Sequence, residues 1–170
     1  VLLPVALLLG AVSFTGCASL EMGRIKQEIA RDLERQPDVE VGRGSSRSFG
    51  RGTIGTGRFL GRLFAPTSTE TFRRLARHVR QLKLGTYPIE GDIDPLAMPR
   101  PEAVDRYEAE GWYRAMAVRD SSSLVYVLLR EDSDDTITDL LSITLEDQEL
   151  GIARVRGNLS ELAVDAIAEG

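Results

Sequence analysis

Between Trp112 and Arg156 the chain is written as strand-length runs separated by short polar turns. No other feature constrains its fold as much. Trp112–Arg119 and Leu124–Arg130 flank Asp120-Ser121-Ser122-Ser123, and Glu131–Asp135 is an acidic turn. Ile137–Leu145 and Leu150–Arg156 then flank Glu146–Glu149, and Gly157-Asn158 closes the last run. Turn-forming residues between apolar runs predict consecutive hairpins. Upstream, Leu84–Glu90 is a further candidate strand and Asp38–Val41 a short one. Helical spacing supplies the other half of the fold. Over residues 20–35, Leu20, Met22, Ile25, Ile29 and Leu33 fall near one face, and Pro37 ends the pattern. Thr67 and Glu70 have capping-box spacing ahead of a stripe of Phe72, Leu75, Ala76, Val79 and Leu82, with Arg73, Arg74, Arg77, Arg80 and Lys83 outside. Residues 57–64 predict a short helix. Glu102–Glu110 predicts another, stopped by Gly111, and Ser160 is placed to cap a last one carrying Leu162, Val164 and Ile167. The expected class is α+β: a roughly four-stranded antiparallel sheet with helices packed on one face.

The amino-terminal sixteen residues carry no charge, and Val1–Val12 is apolar except for Pro4 and Gly10. A bilayer span needs about 20 apolar residues, so this run is too short to cross one. Its length suits the apolar core of an export signal. Phe14-Thr15-Gly16-Cys17 resembles the lipobox of bacterial lipoproteins. That resemblance implies a cut before Cys17 and acylation of its thiol. Ala18, where Asp resembles an inner-membrane retention signal, favours the periplasmic face of the outer membrane. Cys17 is the only cysteine, so no disulfide can form within the chain. The expected division is a signal peptide over 1–16 and an anchor with an amphipathic helix over 17–37. A Gly/Arg-rich segment with a short strand and helix follows over 38–66, then an α+β core domain over 67–170.

Beyond the anchor, residues 69–167 resemble the bacterial lipoprotein family catalogued as domain of unknown function 4252. The segments that carry the resemblance are FRRLARHVRQL leading into LGTYPIEG, then YEAEGWYRAMAVRD, LVYVLLRED and ITDLLSITLEDQELGIARVRGNLSELAVDAI. They are hydrophobic patterns punctuated by turns. The resemblance therefore implies a fold and an exported, acylated protein, with no particular activity, cofactor or catalytic residue.

Residue chemistry narrows the function further. Gly50-Arg51-Gly52-Thr53-Ile54-Gly55 matches a dinucleotide-binding spacing, but the residues before it are no buried strand and no Gly-Lys-Ser/Thr follows. A solvated loop is the better reading. Arg43, Arg47, Arg51, Arg58 and Arg62 alternate with glycines. In an exported protein they suit anionic lipid or glycolipid phosphates rather than nucleic acid. Residues 18–90 hold 14 basic and 8 acidic side chains, whereas 91–170 hold 7 and 18. The basic half thus lies nearest the anchor. His78 is the only histidine, so a His/Cys zinc site cannot be built. Neither Asp92 with Asp94 nor Glu131–Asp135 has calcium-loop spacing, and they read as solvated turn acids. Aromatic residues make up only 6% of the chain, which disfavours a carbohydrate cleft with paired acids. Trp112, Tyr113 and Tyr126 fall in strands and read as core or sheet-face packing residues, with a patch exposed for a partner as the functional alternative. The expectation is a non-enzymatic, lipid-anchored periplasmic module that needs no cofactor or metal and binds an envelope protein or itself. Its alternatives are an envelope hydrolase acting on peptidoglycan, lipid or glycan, and a module binding anionic lipid headgroups.

Overall fold

The computed structural model describes residues 16–50, 77–146 and 148–161, with side chains from residue 20 onward. The elements are α1 (Gly16–Leu33), β1 (Glu40–Val41), β2 (Ser45–Gly50), β3 (Val79–Glu90), α2 (Glu102–Ala109), β4 (Tyr113–Arg119), β5 (Ser123–Glu131), β6 (Ile137–Glu146) and β7 (Glu149–Gly157). Every strand pairing is antiparallel. The α+β expectation holds, but the described residues form a sheet of seven strands rather than about four, in the order β1-β3-β7-β6-β5-β4 with β2 also on β3. β1 and β2 are two pieces of one edge row, interrupted at Gly42–Gly44. A Cβ on Gly44 would lie 1.9 Å from the Thr86 carbonyl oxygen, so only glycine lets the chain pass there.

The hairpin pattern places β4 to β7 within a residue or two of the predicted runs. β3 does not follow its prediction. Val79–Lys83, expected to end an Arg-faced helix, forms the first half of a 12-residue strand. Val79, Leu82 and Leu84 are buried there, and the segment lies between β2 and β7, which supply backbone partners on both sides. Pairing on two edges overrides a local helical pattern. The capping box at Thr67 and Glu70, the short helix over 57–64, and Leu162, Val164 and Ile167 lie outside the described residues. At the carboxyl side Asn158, not Ser160, caps the turn: its Oδ1 accepts the Glu161 N–H at 3.4 Å. The Ser160 hydroxyl instead accepts the Ile137 N–H at 2.9 Å, tying the turn to β6.

Among the described residues, α1 and α2 cover one face of the sheet. Met22, Ile25, Ile29 and Leu33 of α1 and Ala103, Val104 and Tyr107 of α2 join the inward residues of the sheet in one buried cluster. Leu20, expected in the α1 stripe, is instead 73% exposed. The two helices are also linked by a cap in trans. Pro101, at the start of α2, offers no side-chain acceptor, and Asp32 of α1 takes the Glu102 N–H at 2.9 Å. Gly111, at φ +87°, then turns the chain from α2 into β4 and brings Trp112 under the helices.

Candidate functional site

Directly opposite residues in antiparallel strands share a face. On the helix-covered face, the register therefore builds rows across β5, β6 and β7. Leu124, Leu145 and Leu150 form one row, and Tyr126, Ile143 and Ile152 the next. Leu128 and Leu141 then meet Arg154, and the last row is Arg130, Asp139 and Arg156. The same alternation that supplies apolar residues at one end thus delivers charges at the other.

Asp139 is 1% exposed and is the hub of that end. Its Oδ1 accepts from Arg154 Nη2 at 2.8 Å and Arg156 Nε at 3.0 Å, and its Oδ2 from Arg130 Nη2 at 2.7 Å. Arg154 also donates to Glu21 of α1, which accepts from Lys83 Nζ at 2.5 Å and the Tyr107 hydroxyl at 3.1 Å. Two turns on, Glu28 receives Arg24 Nε at 3.0 Å and Arg106 Nε and Nη2, each at 3.0 Å. Arg106 reaches Glu110 as well, at 3.1 Å. Trp112 lies amid these ions. Its ring meets Tyr107 edge-on at 5.0 Å, with Arg154 at 5.1 Å and Arg130 at 5.3 Å from the ring centre. Guanidinium groups over an indole face are held by its quadrupole.

A cleft of about 350 Å³ opens among these groups. Its walls are Leu20, Glu21 and Arg24 from α1, Arg106, Tyr107 and Glu110 from α2 and its end, and Trp112, Arg130 and Arg154. Burial pushes the Glu21 carboxyl up, but the Lys83 and Arg154 cations outweigh it and hold the group below its ordinary range. Asp139 follows the same balance: burial raises it, and its three arginines bring it down further. Burial, with Glu21 nearby, pushes the Tyr107 phenol up to about 12. These shifts fix the protonation states. Glu21 and Asp139 hold negative charge and Tyr107 holds its proton, which suits recognition of charge better than proton transfer.

The residues singled out in the sequence lie elsewhere. Cys17 falls in the first turn of α1, and its side chain lies outside the described residues. Arg43 is exposed between β1 and β2. Arg47 is exposed opposite Leu84, on the other face of the sheet from the cleft. Arg51, Arg58 and Arg62 lie outside the described residues. His78 is at the foot of β3 and meets Glu161 at 3.0 Å. Asp94 belongs to a turn, where it exchanges two hydrogen bonds with Gln36 and accepts the Leu96 N–H. Asp132 accepts the Asp134 and Thr136 N–H groups within its own turn. Among the described residues, no group of three or more His, Cys, Asp or Glu side chains could hold a metal ion. No helix among them is long and apolar enough to cross a membrane. Comparisons of the chain with protein-family models, curated proteins and solved structures find no match.

A second surface is notable for exposure rather than charge. Among the described residues β4 ends the sheet, and all seven of its residues are exposed. Tyr113, Met116 and Val118 are 40%, 52% and 44% exposed. Their partners Leu129, Val127 and Val125 place all three on the face away from the helices, despite a register shift between Arg114 and Met116.

Proposed function

We propose that this chain is a lipid-anchored envelope module. It is acylated at Cys17, held at the periplasmic face of the outer membrane, and related to the lipoprotein family whose patterns it resembles. Its role is to bind an extended segment of another envelope protein along β4. One observation carries this reading: among the described residues β4 is the terminal strand, and its exposed face presents Tyr113, Met116 and Val118 together. An open edge offers unpaired backbone donors and acceptors to an incoming strand, and pockets or patches beside it select the side chains. The opposite edge is a weaker template, because Gly42–Gly44 break it into pieces of two and six residues. The ionised state of Glu21 and Asp139 also suits a binding role better than glycoside hydrolysis, which needs one carboxyl held protonated as the general acid.

Photo-crosslinking in intact cells tests the proposal. A photoreactive residue at position 116 or 118 is expected to give one discrete adduct, whose mass-mapped partner peptide runs along β4. Placed at Glu40 of β1, on the other edge, it gives none. An adduct with a second copy would make the interaction self-association. Absence of any adduct at 116 and 118, or identical adducts at Glu40, would exclude β4 as the binding edge.

A further inference from the structure

The cleft beside Trp112 has a composition that protein binding along β4 does not use. Six cations (Arg24, Lys83, Arg106, Arg130, Arg154 and Arg156) meet four carboxylates (Glu21, Glu28, Glu110 and Asp139) in its network. The network therefore keeps a positive excess in a chain whose net charge is −5. That excess is also accessible. Arg24 engages Glu28 through Nε, and Arg130 engages Asp139 through Nη2. Their side chains remain 63% and 40% exposed at the cleft wall. Each guanidinium has five N–H donors in a rigid fork, so both retain donors for a ligand. Arg154, fixed by Glu21 and Asp139, is the inner cation of the cleft, with Trp112 buried behind it, and exposed Leu20 gives an apolar side for the carbon part of the same ligand. A fork of arginines beside an indole fits a tetrahedral phosphate attached to an organic group.

Position supplies the source of that phosphate. Glu21 and Arg24 follow residue 17 by four and seven positions in α1, so all three register on one side of the helix. The rise from residue 17 to Arg24 is about 10 Å. Exposed Leu20 stands between them at the cleft mouth.

We propose that the Trp112 cleft binds a phosphate group, presented as the headgroup of an anionic lipid in the leaflet that holds the anchor. The phosphate chemistry rests on the cleft alone; the lipid source rests on acylation of Cys17. Trp112 is the only tryptophan in the chain, so its emission reports the site. The mature protein in uncharged detergent is titrated with short-chain phosphatidylglycerol, short-chain phosphatidylcholine, glycerol 3-phosphate and inorganic phosphate. A saturable change in Trp112 emission is expected, strongest with phosphatidylglycerol. The double variant Arg24→Gln/Arg130→Gln should weaken it about tenfold, as for loss of charge-assisted contacts. Its thermal melt should stay close to that of the parent. Equal responses to inorganic phosphate and phosphatidylglycerol, lost in the variant, would keep the phosphate site and assign it to a soluble phosphate compound. Mass spectrometry of residue 17 in the same preparation isolates the anchor: a free thiol with an intact phosphate response overturns only the lipid source. No saturable response to any of the four probes, or an unchanged response in the double variant, overturns the site.

Discussion

The helix-covered face of the sheet has two ends built by the same strands on the same alternation, and they are held together by different physics. At one end Leu124, Leu145, Leu150, Ile143 and Ile152 are dry and interlock with α1 and α2. At the other, Arg130, Asp139, Arg154 and Arg156 continue the same inward positions as ions. The dry end gains stability from area removed from water, about 25 cal/mol per Å², whatever the partner's exact geometry. The charged end gains little from burial, since desolvating ions offsets most of their attraction. What it gains is definition: Asp139 orients three guanidinium groups and leaves two of them at the surface. Stability comes from one end, and a recognition surface comes from the other.

The sharpest way to break the comparison is to remove Asp139. Asp139→Ala leaves Arg154 buried against Trp112 with only Glu21 as a counter-charge. Taking one member from a buried ionic cluster costs about 3–5 kcal/mol. Leu150→Ala at the dry end creates a cavity at a cost of about 2–5 kcal/mol. Urea unfolding should therefore show losses of similar size from opposite causes. They separate on a second change. Adding Arg154→Met to an Asp139→Leu background should recover much of the loss, because it replaces stranded ions with apolar volume. No second polar substitution recovers Leu150→Ala. Failure of the Leu/Met pair to recover stability would mean that the ionic end supports the fold beyond its charge balance.

Acid should find the charged end before the dry one. Glu21 and Asp139 have folded pKa values below their ordinary 4.5 and 3.8. Their contribution is therefore complete above those values, and it is lost as pH falls through the lower folded ones. The melting temperature of the parent should drop below about pH 4.5, with a shallower acid limb in Asp139→Asn, which cannot titrate there. Tyr107 acts at the other extreme. Its folded value of about 12 lies above the ordinary 10, so its neutral form stabilises the fold below pH 10. That contribution fades between pH 10 and about 12. Tyr107→Phe, read by the same melts, should flatten the alkaline limb alone. Matching acid limbs in the parent and Asp139→Asn would remove Asp139 from the account.

Much of this division was written in the sequence, though in different degrees. Alternation placed β4 to β7 and the Met22-Ile25-Ile29-Leu33 stripe because each uses one period and one buried face. It misplaced Val79–Lys83 because a strand paired on both sides buries residues that also satisfy a helical stripe. The charged cleft was missed although it carried a signal. Asp139 occupies an inward position of the Leu141-Ile143-Leu145 alternation. Arg154 does the same after Leu150 and Ile152, and Arg130 after Leu124, Tyr126 and Leu128. Charges at the end of an apolar alternation mark where a face stops being core. The arginines chosen instead were conspicuous for their Gly-rich setting, which says nothing of which face they join. Glu21 and Arg106 could not be assigned from sequence, because partners of theirs lie 62 to 133 residues away on other elements; the Arg24–Glu28 pair, four residues apart on one helix, was legible.

Arg130→Gln is the smallest change expected, and it decides whether the two ends divide the labour as argued. Arg130 is 40% exposed, and Asp139 keeps Arg154 and Arg156 when it is gone. An ion pair open to water on one side contributes about 0–1 kcal/mol, and glutamine preserves most of the stem over Trp112. Urea unfolding of Arg130→Gln should thus lie within about 1 kcal/mol of the parent. Asp139→Ala, at the other end of the same hydrogen bond, should lose several times more. The asymmetry follows from burial: the carboxylate has no water to turn to, whereas the guanidinium does. A loss from Arg130→Gln as large as that from Asp139→Ala would show that the outer arginine is structural, and the cleft wall would then be an extension of the core.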